Sequence, residues 1–173
     1  MNQGDASSKL PFDNGRFREL SGDDLADITR LHKLWLETDK TQGRCADLSK
    51  TNLRGASLVG LNLKGANLED AYLYGAYLKK ADLQRANFSG ANLRGANLRW
   101  ADLRYSIFKG ANLTKVDVMK SDLRGANLEE TINLSCEQIS SAIIDRETLL
   151  PSYLEVTWHG RDIFECRKEK LRG

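Results

Sequence analysis

Residues that often reveal a protein's role are scarce in this sequence. Proline and histidine each occur twice in 173 residues, and cysteine occurs three times. Lys and Arg number 26 against 24 Asp and Glu, so the formal net charge is only +2. This balance argues against an acidic nucleic-acid mimic and against a strongly basic DNA-coating protein. With 40% hydrophobic and 29% charged residues, the composition predicts a soluble globular chain and not a disordered one.

Long apolar runs are also missing. The first nine residues have no apolar core, so a secretory signal is not expected. No stretch approaches the roughly 20 apolar residues of a membrane-spanning helix. Cys45, Cys136 and Cys166 are odd in number and widely spaced, which predicts neither a disulfide framework nor a metal cluster. A reducing cytoplasm is therefore the expected location.

Candidate catalytic and metal-binding residues are few. His32 and His159 have no carboxylate or cysteine at ligand spacing, and Cys166 fits no nucleophile signature. The glycines lack the lysine of a phosphate-binding loop, and turn formation accounts for the repeated Asp residues better than calcium does. The sequence predicts no enzyme, no metal and no cofactor.

A five-residue repeat fills the middle of the chain. From Ala46 to Glu130 the sequence divides into 17 consecutive units without an insertion. The third residue is Leu in 14 units and is replaced only by Phe88, Phe108 and Val118. The first residue is Ala, Ser or Thr in 15 units, and the second is Asp or Asn in 13. A period of five fits neither a helix nor a strand, so it predicts a solenoid in which each unit forms one short side.

This tandem of Ala, Asp or Asn, and Leu, as in the unit 91–95, resembles the pentapeptide repeat family. Its members form a right-handed, four-sided β-helix, so the resemblance implies an all-β solenoid with four units per coil. Residues 20 positions apart should then stack, and Phe88 and Phe108 are 20 apart. Inward Ala and Leu would fill the core, Asp or Asn would bond the local backbone, and Gly would occupy corners with positive φ.

Helical caps are expected at both ends of the solenoid, because solenoid ends expose core and unpaired backbone. Ser21, with Asp24 at the third helical position, predicts the start of a helix that runs to about Thr38. The predicted boundaries are 1–19 for a flexible leader, 20–43 for the N-terminal capping helix, 44–130 for the 17-unit β-helix and 131–173 for the C-terminal capping segment.

Within the C-terminal segment, Ser135 and Gln138 form a predicted capping box for a helix near 136–143. A short strand at 153–156 and a terminal helix near 161–171 complete the prediction.

Assigning the units to four sides reveals a charge asymmetry. Counted from the unit at Ala46, the first and fourth sides sum to −2, whereas the second and third sum to +6. On the fourth side, three Asp residues should stack in one column, with arginines in the next column offsetting their repulsion. These residues are Asp82, Asp102 and Asp122, with Arg104 and Arg124.

The second and third sides also carry aromatic residues, and together they form the predicted partner-binding surface. Such a composition suits the anchoring of a protein partner with an acidic surface. Two alternatives stay open: the residues only stabilise neighbouring coils, or the rings stack on single-stranded nucleic acid beside arginine. The predicted site residues are Tyr72, Tyr74, Tyr77, Arg94, Arg99 and Trp100.

The favoured function is therefore a non-catalytic interaction or scaffold module. The resemblance also includes a branch that protects DNA gyrase by imitating DNA, and that branch implies a strongly acidic rod. Residues 44–130 hold 14 bases and 9 acids, which disfavours DNA mimicry. An enzyme with its site in the C-terminal segment is the least favoured hypothesis.

Overall fold

Pairs of residues 20 positions apart organise the backbone of the repeats. The computed structural model describes residues 17–160 and 163–168. Isolated parallel β-bridges pair each second-position residue with its equivalent four units later, as Asp47 pairs with Asn67 and Asn67 with Asn87. The 20-residue spacing holds as far as the pair of Asn112 and Ile132, and beyond it Asp122 pairs with Ile143 and Asn127 with Leu149. Four units therefore make one coil, and successive coils stack through parallel backbone pairing.

Each backbone N–H group of a typical repeat unit has a partner. The first N–H closes a turn onto the preceding unit, the second bonds to the coil before, and the third and fifth bond to the coil after. The fourth N–H donates to the side chain at the second position, as Glu69 N does to Asn67 Oδ1 at 3.2 Å. This last bond explains why Asp or Asn stands second in most units.

Side chains at the first and third positions fill the interior. All 17 third-position side chains are at most 3% exposed. Phe88 and Phe108 stack with their ring centroids 4.8 Å apart and their planes at 2°, which confirms the stacking predicted from their spacing. Where a hydroxyl replaces Ala at the first position it is bonded, as Thr51 Oγ1 donates to Leu48 O at 2.7 Å. The interior is thus a packed apolar column.

The fifth residue of every unit has a positive φ. Eight of these positions are glycine and nine are not. The left-handed conformation costs an L-residue about 1 kcal/mol, and glycine adopts it without that cost. Bulky residues occur here nevertheless, with φ of 56° at Trp100 and 60° at Tyr105. Backbone conformation alone would favour glycine at both positions.

The chain joins the solenoid on the second side, at Arg18. Arg18 N donates to Lys50 O at 2.7 Å, and Asn52 N donates to Arg18 O at 2.9 Å. The Arg18 guanidinium also donates to Asp47 O at 2.6 Å. Residues 17–19, predicted to be part of a flexible leader, are therefore held against the first coil. Residues 1–16 of that predicted leader lie outside the described residues.

Helix α1 spans Gly22–Glu37 and begins at a capping box. Asp24 N donates to Ser21 Oγ at 3.1 Å, and Ser21 N donates to Asp24 Oδ2 at 2.9 Å, as the sequence predicted. These local bonds hold the first turn of the helix. Leu25 and Ile28 then pack against the apolar core of the solenoid.

His32 links α1 to the first coil. Its side chain is fully buried, and its Nδ1 accepts a hydrogen bond from Ala46 N at 3.0 Å. The ring stacks on Trp35 with centroids 5.6 Å apart. Burial lowers the pKa of the imidazole, so the ring is neutral with its proton on Nε2. The junction between helix and solenoid therefore contains a neutral histidine that acts as an acceptor.

We expect stability to decline as the pH falls below about 6.5, the ordinary pKa of histidine. Because burial lowers the folded-state pKa of His32, the stabilisation from its neutral ring is complete above the unfolded-state pKa. It is lost as the pH falls towards the folded-state value, since protonation removes the acceptor for Ala46 N. His32→Asn keeps a nearby acceptor that does not titrate, so its unfolding free energy should vary less between about pH 5 and 7. Denaturant titrations at a series of pH values measure the unfolding free energy of each protein. The same change of that free energy with pH in both proteins would contradict the prediction.

Helix α2 spans Cys136–Ser141 and also begins at the predicted capping box, formed by Ser135 and Gln138. It is two residues shorter than the predicted 136–143. Gln138 Nε2 donates to Leu113 O and to Val116 O, both at 2.9 Å, which ties the helix to the preceding coil.

Strands β1, Leu154–Trp158, and β2, Phe164–Lys168, form an antiparallel hairpin. The terminal helix predicted near 161–171 is therefore wrong, because residues 164–168 form a strand. Residues 161–162 and 169–171 of that prediction lie outside the described residues. Residues 164–168 are extended because they pair with β1. The same pairing packs Phe164 on Trp158, with ring centroids 5.3 Å apart. The predicted strand at 153–156 overlaps β1.

A disulfide joins Cys136 of α2 to Cys166 of β2, contrary to the expectation from cysteine spacing. The two Cα atoms are 5.3 Å apart although 30 residues separate them in sequence. This distance suits a disulfide, and it arises because the hairpin folds back onto α2. The third cysteine, Cys45, is free.

Thiol titration checks this pairing. Protein purified without reductant and then denatured should react with a thiol reagent once per chain, at Cys45, because the other two cysteines are bonded. After treatment with a dithiol it should react three times. Three reactive thiols before reduction would contradict the pairing.

Candidate functional site: the basic face

The basic face comprises the outward side chains of the second and third sides, which the coils bring together. Residues at the second and fourth positions point away from the core, because their neighbours at the first and third positions point into it. Five of the six predicted site residues occupy these outward positions, and Trp100, the fifth residue of its unit, is exposed at the corner that ends the third side. Side chains that are far apart in sequence meet here only because equivalent units stack in successive coils.

Tyr72 and Tyr74 lie on the second side, in the second coil. Their ring centroids are 6.3 Å apart, and the Phe17 ring stacks on Tyr72 at 5.3 Å. The Arg54 guanidinium lies over Tyr74, 5.6 Å from its centroid. Tyr72 is therefore half-buried, whereas Tyr74 is 40% exposed.

Tyr77 and Trp100 lie on the third side and are 53% and 39% exposed. Two cations lie over the Trp100 indole: Lys79 Nζ is 4.8 Å and Arg99 Cζ is 4.7 Å from the ring centroid. Tyr77 has no such ring or cation contact among the residues that the structure describes. The exposure expected for these aromatic residues is present.

The two predicted arginines differ in their surroundings. Arg99 forms an ion pair with Asp117, with Nη1 and Oδ2 3.2 Å apart, while it also contacts Trp100. Arg94 is exposed and has no ion pair within the described part of the chain. Arg99 is thus held in place, and Arg94 extends into solvent.

Sequence reasoning did not select Phe17, Arg54 or Lys79 as site residues, although all three contact its aromatic rings. For Arg54 the signal was available, because Arg54 and Tyr74 occupy equivalent positions in successive coils and therefore stack. Phe17 lies outside the repeats, so no periodicity could place it on Tyr72.

Four charged residues of the fourth side form ion pairs with one another, namely Asp102, Asp122, Arg104 and Arg124. Asp82, Asp102 and Asp122 stack in one column, as predicted. Arg104 bonds Asp102 at 2.6 Å and lies 3.7 Å from Asp122, and its carboxylate neighbours raise its pKa. Burial raises the pKa of Asp122, but the hydrogen bonds and charge of Arg124 outweigh it, and the pKa ends below its ordinary value. Lys64, Asp82 and Arg85 of this side form no ion pair among the described residues, so the unpaired charge here is mixed in sign, whereas that of the basic face is positive.

Open grooves lie at both ends of the solenoid. One of about 540 Å³ lies between α1 and the first coil, and its lining mixes Arg18 and Arg44 with Asp24 and Asp27. Another of about 500 Å³ lies between α2 and the last repeats. Within residues 17–160 and 163–168, no group of three or more His, Cys, Asp or Glu side chains is placed to hold a metal ion. Neither helix there is long and apolar enough to cross a membrane.

The stacked five-residue units and the solid Leu core define a repeat protein of the solenoid class. A family model for pentapeptide repeats matches residues 46–85 and 81–118, with eight copies. These residues therefore belong to the pentapeptide repeat family, as the resemblance in the sequence predicted. Proteins of this family form right-handed quadrilateral β-helices. No curated protein matches the chain.

Several solved structures are similar to this chain. The pentapeptide repeat protein Rfr23 from the cyanobacterium Cyanothece is 25% identical over 64% of this chain and 68% of its own, with a TM-score of 0.45. A pentapeptide repeat protein from the Arabidopsis thaliana thylakoid lumen is 30% identical over 56% and 63%, with a TM-score of 0.44. A form of QnrB1, a plasmid-mediated fluoroquinolone resistance protein, is 20% identical over 47% of each chain, with a TM-score of 0.37.

Proposed function

We propose that this protein is a non-catalytic interaction module whose basic face binds an acidic protein surface. In this proposal the repeats form a right-handed four-sided rod, closed by α1 at one end and by α2 and the hairpin at the other. The packed interior supports this role, because it leaves the outer faces for contact. The observation that carries the proposal is the exposed Tyr74, Tyr77 and Trp100 among cations on one face.

The cations on this face are already positioned for a partner. Arg54, Lys79 and Arg99 each lie over an aromatic ring, which restricts their motion in the free protein. Positioned side chains lose less entropy on binding, so they favour association with carboxylates. Exposed aromatic rings beside them supply the apolar contact that anchors many protein interfaces.

An acidic protein fits this face better than single-stranded nucleic acid. Nucleic-acid bases stack on free aromatic faces. Here Phe17 lies against Tyr72, Arg54 lies over Tyr74, and two cations lie over Trp100. Bases would have to displace these groups, whereas carboxylates would bind the cations where they stand.

Protection of DNA gyrase through DNA mimicry is the second candidate, and the charge of the repeats opposes it. Residues 44–130 carry 14 bases and 9 acids, whereas a DNA mimic must be acidic. A gyrase supercoiling assay with and without a quinolone separates the two functions. We expect no protection.

Localisation is part of the proposal. Disulfides persist mainly in oxidising compartments. The bond between Cys136 and Cys166 therefore supports a location outside a reducing cytoplasm, in contrast to the expectation from cysteine count.

The test of the basic face is a variant with Tyr74→Ala, Tyr77→Ala and Arg94→Ala. Immobilised wild-type protein should capture an acidic partner from native extract, and the variant should lose it, because the substitutions remove exposed rings and an unpaired cation. Its melting temperature should fall by no more than about 4 °C, since exposed contacts of this kind contribute little stability.

Arg85→Ala with Tyr105→Ala is the matched control. This pair also stacks a guanidinium over a tyrosine, at 5.8 Å, but on the fourth side. It should keep the partner. Retention of every partner by the triple variant contradicts the proposal. A lower melting temperature without loss of binding means that the rings only stabilise neighbouring coils.

A further inference from the structure

One corner of the solenoid carries a lysine–tryptophan–lysine column at positions that favour glycine. Lys80, Trp100 and Lys120 are the fifth residues of the third side in three consecutive coils, with φ between 56° and 59°. No other fifth-position column within the 17 units has three consecutive coils without glycine. All three side chains are exposed.

The fold does not need these side chains. The backbone N–H at each position continues the ladder between coils, as Lys80 N donates to Arg99 O at 3.0 Å, and glycine would make the same bond. Gly60 begins the same column and has open space beside it. Residues kept in an unfavourable backbone conformation often mark functional sites, where binding rather than folding explains them.

The column also has a definite chemistry. Within the described residues, neither Lys80 nor Lys120 forms an ion pair, so two unneutralised ammonium groups flank an indole that is 39% exposed. Successive coils stack at about 4.8 Å, which places the two lysine backbones about 10 Å apart with Trp100 between them. The column therefore presents charge, an apolar ring and charge in a straight line.

We propose that Lys80, Trp100 and Lys120 anchor an acidic protein segment in which an apolar side chain lies between carboxylates. The carboxylates bind the two ammonium groups, and the apolar side chain packs on the exposed part of the indole. This inference rests on the proposed function, because it names the contact points and the partner chemistry of the same face. It also extends the site by two lysines, Lys80 and Lys120, that sequence reasoning left out.

The test replaces the column with the residue that its backbone favours. The three-glycine variant combines Lys80→Gly, Trp100→Gly and Lys120→Gly. The probe is a labelled synthetic peptide with one leucine between two pairs of glutamates, and fluorescence anisotropy at low salt measures its binding. We expect the variant to bind at least about tenfold more weakly than the wild type, with a melting temperature unchanged or higher. A control with Lys50→Gly and Lys64→Ala removes the same number of lysines from other sides and should bind within about twofold of the wild type.

Each contrary result has a distinct meaning. Equal peptide binding by the three-glycine variant overturns the anchor, and so does a melting temperature lowered by more than about 5 °C, which would make the column structural. A peptide that does not bind the wild type, or an oligothymidine that binds more tightly, overturns the partner chemistry.

If only the variant of Tyr74, Tyr77 and Arg94 loses the natural partner, the anchor fails and the basic face stands. If neither variant loses it, the proposed function fails as well.

Discussion

Phe88→Ala should lower the unfolding free energy by about 3–5 kcal/mol, the usual cost of removing a buried phenylalanine. The Phe88 side chain is 0% exposed and lies in the third coil, so fraying of an end cannot relieve the loss. The substitution leaves a cavity beneath Phe108, whose ring lies 4.8 Å from that of Phe88. Denaturant unfolding followed by circular dichroism measures the effect.

Leucine substitutions separate the contribution of ring stacking from that of apolar burial. Leu is the usual third residue, so Phe88→Leu and Phe108→Leu keep an apolar side chain that the column accepts. A double-mutant cycle over these two substitutions should give a coupling of about 0.5–1.5 kcal/mol, as for other aromatic pairs. Strictly additive losses, or a Phe88→Ala effect below about 1 kcal/mol, would show that the two rings do not share one core column.

Gly43→Ala should cost about 3 kcal/mol and loosen α1 from the first coil. Gly43 has a φ of 70°, and an added Cβ would overlap Leu31 O and come within 2.9 Å of Trp35 N. Both obstacles are backbone atoms of α1, so no flexible side chain can move aside. Thermal melting measures the loss, and faster proteolysis within 22–37 reports on the helix.

Two other glycines supply graded controls for this prediction. Gly22 has neither a positive φ nor a neighbour within 4 Å of an added Cβ, so Gly22→Ala should be neutral or slightly stabilising. Gly55 has a φ of 63° and open space, so Gly55→Ala isolates the conformational cost of about 1 kcal/mol. If Gly43→Ala behaves like Gly55→Ala, the close approach of the chain to α1 is not tight in solution.

The elements that sequence reasoning placed correctly depend on local or strictly periodic signals. Ser21 with Asp24 and Ser135 with Gln138 specify helix starts within a short stretch of chain, because each capping box closes on itself. The stacking of Phe88 on Phe108 follows from the four units per coil that the family resemblance implied, because a repeat without insertions keeps that register along the chain. The candidate face could be predicted for the same reason.

Contacts outside the periodic region were missed. The hairpin of β1 and β2 pairs residues across a turn that has no repeat to set its register. The bond between Cys136 and Cys166 depends on that hairpin, so spacing along the chain could not predict it. Phe17 meets Tyr72 although the two lie far apart in sequence. In each case two segments without a shared period had to be brought together in space.

By itself the sequence determined a solenoid of five-residue units, and the four units per coil that its family resemblance implied then assigned each charge to a side. A five-residue period with apolar or small residues at the first and third positions fits neither a helix nor a strand, and a solenoid buries both positions. Only the tertiary structure decided which outward residues are available. It places Phe17 on Tyr72, pairs Arg99 with Asp117 and leaves Lys80 and Lys120 without an ion pair among the described residues. Periodicity specifies where a side chain points, whereas contacts between coils and with segments outside the repeats specify what covers it.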